Sequence, residues 1–329
     1  MRYQRTGLTA AVLAMLAASA VAAAGPARAG LVTSCTGTAS DVSIPGDLFV
    51  PVGESCELTN VTVSGNTTVR ADANLILTDS ALAGTLTLQG NGFADLETTT
   101  VAGASRLNGA FGLFSQGSTL TGNLTVADAG FAYSVGTTFT GNITSTGGET
   151  YLQSGRVGRN LTTSGDFLTD LYDTVVQGAV TVGNATLGSV VCTSEIDGAA
   201  AFTGASADGT VQIGAAAPVA GCGFDVFASS LTVSGNHSPV AIADSVVRGA
   251  LACADNDATP TGSGNRLRGG ATGQCAGLTA AAAKTTARTT AAGEDGTDSR
   301  VAGILAKISS RRSTGESAAT MAGHAKLQH

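Results

Sequence analysis

Val63-Ser-Gly-Asn-Thr-Thr-Val69, Leu120-Thr-Gly-Asn-Leu-Thr-Val126 and Phe139-Thr-Gly-Asn-Ile-Thr-Ser145 are copies of one unit, and their spacing decides the fold. Glycines at 46, 65, 84, 103, 122 and 141 recur every 19 residues. The phase continues through Arg159, Gly178 and Gly198, then returns near Ser229 and at Gly249 and Gly269 in steps of 20. A fixed period of this length marks a repeat architecture in which each unit buries its apolar side only by stacking on its neighbours.

Two residues before each anchor stands an apolar side chain: Ile44, Val63, Leu82, Val101, Leu120, Phe139, Val157, Val176, Ile196, Phe227, Val247 and Leu267. Two and four residues after it the chain is again mostly apolar (Leu86 and Leu88, Leu124 and Val126), with threonine between (Thr68, Thr87, Thr125, Thr144, Thr162, Thr181, Thr232). Apolar-polar-apolar around a glycine is a strand with one buried face, the glycine easing the chain round a corner. A looser column of large residues, Phe93, Phe111, Phe131, Tyr151, Phe167 and Leu187, tracks the same period and predicts a second interior ladder. The reading is all-β: a right-handed parallel β-helix (β-solenoid) of roughly 19-residue coils, triangular in section, about eleven coils and near 50 Å long.

Composition agrees. Charged residues are 12%, aromatics 4%, Trp is absent and Gly numbers 45, which suits short strands and tight corners better than a globular enzyme. The net charge of −7 is uneven: residues 30–278 hold 7 basic and 20 acidic side chains, residues 279–329 hold 7 basic and 4 acidic. An acidic body excludes nucleic acid as a partner, because phosphate binding needs clustered positive charge.

Residues 1–29 read as a signal peptide: Arg2 and Arg5, an apolar run from Leu8 to Ala24, and Ala27-Arg28-Ala29 as the cleavage pattern. No second stretch is long enough to span a bilayer, so the mature chain has no transmembrane segment. The expected location is secreted, extracellular or at the cell surface. Six cysteines in an exported chain imply three disulfides. Cys35 to Cys56 is 21 residues and Cys253 to Cys275 is 22, about one coil each, and Cys192 to Cys222 is 30, one coil plus an insertion. Neighbouring rungs are within disulfide reach, which predicts the pairs 35–56, 192–222 and 253–275.

The domains follow. Residues 30–278 are the solenoid, with 31–45 capping the first coil and irregular stretches at 215–223 and 255–264. Residues 279–329 are an aperiodic Ala/Thr/Lys-rich tail, expected to be disordered, with a short amphipathic helix at 300–312 carrying Val301, Ile304, Leu305 and Ile308 between Arg300, Lys307, Arg311 and Arg312. Three uses of that helix compete: a cap over the solenoid's open end, a membrane or cell-surface contact, or a transient helix without a role.

The repeat units quoted above, Cys35-Thr-Gly-Thr38 near the start and the cysteine loop Cys253–Cys275 resemble a family of secreted bacterial β-helix proteins over about residues 33–278. The resemblance implies fold and export and brings no assigned activity. A looser similarity is to bactofilins, whose short-coil β-helices polymerise; bactofilins lack signal peptides and disulfides, so that likeness implies self-association and not a cytoskeletal role.

Because some parallel β-helices are polysaccharide lyases or hydrolases, paired carboxylates with a nearby arginine would matter. The best cluster is Asp166, Asp170 and Asp173 with Arg156 and Arg159 one coil earlier; Asp95 and Glu97 are another pair. Ordinary surface ion pairs are the competing explanation. His237, His324 and His329 are the only histidines, and no spacing suits a metal or a cofactor. The Asn-x-Thr triplets from Asn60 to Asn184 read as strand and turn composition, and the single, interrupted threonine column as β-favouring surface rather than an ice-binding array. The expected function is a non-catalytic structural or surface-interaction solenoid, self-associating through its ends or meeting cell-surface or glycan material; a carbohydrate-active β-helix is the alternative.

Overall fold

The computed structural model describes residues 31–278 except 217, and residues 299–327 except 326. The segment read as a signal peptide and the tail residues 279–298 lie outside the described residues.

The chain winds as a parallel β-solenoid with three sheets. Sheet 1 has 13 strands, from Val32–Ser34 to Ala271–Gly273; sheet 2 has 11, from Gly37–Ser40 to Val240–Ala243; sheet 3 has 12 two-residue strands, from Ser43–Ile44 to Arg266–Leu267. Residues 31–45 are therefore a complete coil and not a cap. With about thirteen coils instead of eleven, the rod spans about 58 Å at ~4.8 Å per rung. The repeat is kept in register through the stack: Thr68, Thr87, Arg106, Thr125, Thr144, Thr162, Thr181, Ala201 and Thr232 are successive partners on the outer face of sheet 1.

Alternation along each strand decides what enters the core. In sheet 1 Leu86, Leu88, Leu124, Val126, Leu231 and Val233 point inward, and in sheet 3 the column from Ile44 through Val247 is buried. These side chains form one continuous apolar core.

The anchor glycines are required by closeness rather than by a left-handed backbone. A Cβ on Gly84 would sit 2.3 Å from Gly65 O and 2.8 Å from Asn66 N, all backbone of the rung beneath. Asparagines beside these glycines stitch the corner: Asn66 Oδ1 accepts from Thr85 N at 3.0 Å, Asn123 Oδ1 from Asn142 N at 2.9 Å, and Asn160 Oδ1 from Ala179 N at 2.9 Å. The other corners have their own columns. Asp41, Asn60, Asp79, Thr98, Ser154 and Asp173 adopt positive φ, as Asp and Asn tolerate in turns. A buried column of Ser80, Thr99, Ser118, Ser194, Asp225 and Asn265 accepts amide protons from the rung before, for example Thr99 N to Ser118 Oγ at 3.0 Å.

The three disulfides join Cys35–Cys56, Cys192–Cys222 and Cys253–Cys275, with Cα separations of 5.6, 4.9 and 5.3 Å. Each joins one coil to the next, as the spacing predicts.

The tail contributes the helix α1 (Ser299–Ala322), 24 residues long and nearly twice the segment 300–312 that the sequence marked. It ends at Gly323, whose φ of +78° suits the left-handed residue that terminates helices, and Gly323 N donates to Ala319 O and Thr320 O. The helix does not cap an end. It lies along the outer face of sheet 2, and its length of about 36 Å is enough to cover the ~29 Å from the Tyr151 rung to the first coil. Among the described residues no helix is long and apolar enough to cross a membrane.

Candidate functional site

The outer face of sheet 2 carries the most specialised surface of the molecule. In the strand Phe93–Glu97, Ala94 and Leu96 point into the core, so Phe93, Asp95 and Glu97 face out. The expected interior ladder is thus an exterior one. Phe93, Phe131 and Tyr151 are buried from outside and not from within the coil, together with Tyr133 and, partly, Phe111, Phe114 and Tyr172. The rings meet edge-on or tilted, Phe93–Phe111 at 5.8 Å, Phe111–Phe131 at 5.5 Å and Tyr133–Tyr151 at 5.1 Å between centroids. Phe167 and Leu187 fall outside this cluster and remain exposed, at 52% and 37%.

What buries the rings is α1. Val301, Ile304 and Ile308 form its apolar stripe and pack on the aromatic cluster. Farther along, the stripe turns cationic and then small, matching a sheet face that turns from aromatic to acidic and polar. Arg311 lies over the Phe111 ring at 5.1 Å and donates to Asn74 Oδ1 at 2.6 Å and to the carbonyls of Asp72 and Asn91. Arg312 lies 3.4 Å from Asp95 and 3.2 Å from Glu97, and donates to Glu316 on its own helix at 2.8 Å. Gly315 passes over Asn74 and Ile76, where a Cβ would stand 3.1 Å from each.

Burial sets the electrostatics. Asp95 is 1% exposed, and desolvation raises its pKa to about 6 against the opposing pull of Arg312. Glu57, on the same face nearer the first coil, is raised by burial and by Glu316. Tyr133 donates to Glu149 at 3.0 Å, and burial followed by that carboxylate pushes its hydroxyl pKa up, so it stays a donor.

The carboxylates considered for catalysis go to three different environments. Asp166 points inward, fully buried, and accepts from Ser145 Oγ (3.0 Å), Thr150 Oγ1 (2.9 Å) and Gly148 N (3.2 Å); burial raises its pKa and those bonds oppose the rise. Asp170 lies on the outer face of sheet 2, buried, and accepts from Val190 N at 2.9 Å. Asp173 is an exposed corner residue with φ of +46°, bonded to Ser154 Oγ at 3.0 Å. Arg156 and Arg159 are exposed on sheet 3 and the corner after it, and among the described residues neither makes an ion pair with these aspartates. No two of the three aspartates share a cleft.

The insertion expected to protrude instead folds onto sheet 2. Gln212 Nε2 donates to the carbonyls of Gly214, Ala216 and Val219, its Oε1 accepts from Val219 N at 2.8 Å, and Val219, Val190 and the Cys192–Cys222 bridge make a small apolar cluster. Thr261, in the stretch 255–264, pairs with the last strand of sheet 2 through Ile242 N at 2.8 Å. His237 and Asp257 meet at 3.1 Å in the open. Among the described residues no group of three or more His, Cys, Asp or Glu side chains converges as a metal site would require.

Sequence reasoning missed the α1 dock, although a signal was present. In Phe93-Ala-Asp-Leu-Glu97 the phenylalanine shares a face with two carboxylates, which a narrow core cannot accept. A face mixing aromatics and acids needs a partner that is apolar and basic, and Val301–Arg312 is that composition.

No protein-family model, curated protein or solved structure matches this chain.

Proposed function

We propose that this chain is an exported, non-catalytic β-solenoid with a structural or surface-interaction role. One observation carries the reading: the polar groups eligible for chemistry are engaged in holding coils together. Asp166 satisfies an interior corner, Asp170 a backbone amide, Asp173 a turn, while from Thr125 through Thr181 sheet 1 presents an outer column of neutral threonines. Acid-base catalysis needs such groups aimed together at a space a substrate can enter. The regular coils supply a stiff rod, and the exposed parts of 215–223 and 255–264 supply irregular surface for cell-surface or glycan partners. Export follows from residues 1–29, and an oxidising compartment suits three inter-coil disulfides.

The test incubates the full chain with a panel of polysaccharides and cell-wall material, reading cleavage products and co-sedimentation. Binding without turnover is expected. Turnover that disappears in Asp170→Asn or Asp166→Asn, with melting unchanged, would replace this reading with a polysaccharide lyase or hydrolase. Mass analysis of exported protein should find Gly30 at its amino terminus.

A further inference from the structure

A parallel solenoid ends in strands whose outward amides and carbonyls have no next rung, and bare edges of this kind recruit further strands. At the amino-terminal end the sheet 2 edge is Gly37–Ser40, and it is occupied. Thr38 N donates to Gly323 O at 2.9 Å, and Ala325 N donates to Thr38 O at 2.7 Å, so Thr38 and His324 form a parallel bridge between the first coil and the segment that follows α1. Gly37, with φ of +101°, leaves room for this approach, since a Cβ there would stand 2.2 Å from Gly323 O. Ala325 and Leu327 then pack against the end of the core, which also takes Ala39 and Val42. The first coil adds Leu31 and Val32, each about half exposed (50% and 49%).

The opposite end is finished by local sequence. Cys275 is bridged to Cys253, Leu278 N donates to Cys275 O at 2.9 Å with its side chain folded onto the core, and Thr261 covers the last strand of sheet 2. The two ends are therefore unlike: at one the sheet 2 edge and the core are covered by the loop and turn that follow, at the other by a segment delivered along the whole dock of α1.

We propose that Gly323–Ala325, with Leu327, is a stopper, held in place by α1, that denies the Gly37–Ser40 edge and the apolar first coil to a second copy of this chain. The proposal holds whether or not the rod is catalytic. With the stopper unseated, two amino-terminal ends join edge to edge. Because the far edge of sheet 2 stays covered by Thr261, pairing through the sheet 2 edge gives a dimer and not a fibre.

The experiment compares the unaltered chain with Ala325→Pro/Leu327→Asp, by light scattering across a hundredfold range of concentration. The proline removes the donor to Thr38 O, and the aspartate spoils the apolar seat; α1 and every solenoid residue are untouched. The unaltered chain is expected to keep the monomer mass and the double variant to double it. Adding Thr38→Pro to the double variant should restore the monomer, because the Thr38 amide and carbonyl bond to the tail and not to the second coil. Excess peptide covering residues 319–329 should do the same. A double variant that stays monomeric with an unchanged far-ultraviolet spectrum overturns the proposal, as does a mass increase indifferent to Thr38→Pro or an open series of larger masses. Hydrogen exchange on the unaltered chain is an independent check: the Thr38 and Ala325 amides should be protected together, and fast exchange at Thr38 rules the stopper out.

Discussion

Replacing Gly84 by alanine tests the close approach of successive rungs at an anchor in the middle of the regular repeat. The new Cβ would lie 2.3 Å from Gly65 O and 2.6 Å from Gly65 C, and neither atom can rotate away. Restoring ordinary contact means parting two rungs by roughly 0.7–1 Å, a strain of the overpacking kind, about 1–3 kcal/mol. The parting also stretches Gly84 N to Gly65 O (3.2 Å) and Thr85 N to Asn66 Oδ1 (3.0 Å), each worth about 1 kcal/mol. The expected loss is about 3–5 kcal/mol. Gly109 is the internal control: its φ is +57° and a Cβ there meets open space, so Gly109→Ala should cost only the left-handed penalty of about 1–2 kcal/mol. Guanidinium unfolding with disulfides intact measures both. If the two variants unfold within about 1 kcal/mol of each other, backbone proximity is refuted as the reason glycine recurs at the anchor.

Asp225 occupies a column in which Ser194 and Asn265, on other rungs, do the same work in neutral form, and burial raises its pKa to about 7 despite hydrogen bonds from Ser194 and Gly214. A carboxyl raised in the folded state stabilises only while protonated, so stability falls as pH climbs from about 4 through about 7; Asp225→Asn should change little at pH 4 and raise the melting temperature at pH 8, by up to about 4 kcal/mol in stability. Asp95, raised to about 6, follows the same sign, and Arg312→Met removes its counter-charge: urea titrations should show a loss of about 3–5 kcal/mol at pH 8 and a smaller one at pH 5, where Asp95 takes up a proton. Gly303 is exposed on α1 with open space around its Cβ position, so Gly303→Ala should gain about 0.5–1 kcal/mol in thermal unfolding, and no gain would argue against a formed helix. Replacing Cys192 and Cys222 together by serine removes the covalent tie between the insertion and sheet 2 and should cost about 3–4 kcal/mol by chain entropy, read by denaturation beside the unaltered chain with its disulfides intact.

The fold was legible because stacking turns geometry into periodicity. Most coils bring a glycine to the same close approach, an apolar residue to the same corner of the core and a threonine to the same outer face, with Arg159 and Ser229 replacing the glycine and Arg106 and Ala201 the threonine, so Gly84, Leu82 and Thr87 announce themselves through their copies. The cysteine pairs were legible for the same reason, one coil being one rung. Site residues had no such help. Asp166, Asp170 and Asp173 fall within eight residues, yet each turn of a short coil sends neighbours to the interior, an outer face and an open corner. Nearness in sequence says little about convergence when the chain turns every few residues.

Sequence by itself determined the coil, its period, the interior columns flanking the anchor glycine and the cysteine pairs, because these depend on residues at most about one repeat apart plus an insertion. Tertiary structure decided the rest. A column such as Phe93, Phe111 and Phe131 repeats with the same period inside or outside the wall; only the parity of alternation from the corner, set by Ala94 and Leu96 filling the core, turns it outward. Once outward, those rings need cover, and the cover comes from a helix some two hundred residues later whose Arg312 answers Asp95 and whose following residues answer Thr38. No local pattern links such partners. They are joined by the cost of leaving apolar rings, a buried carboxylate and an edge strand unmatched, and that cost exists only when the solenoid has been built.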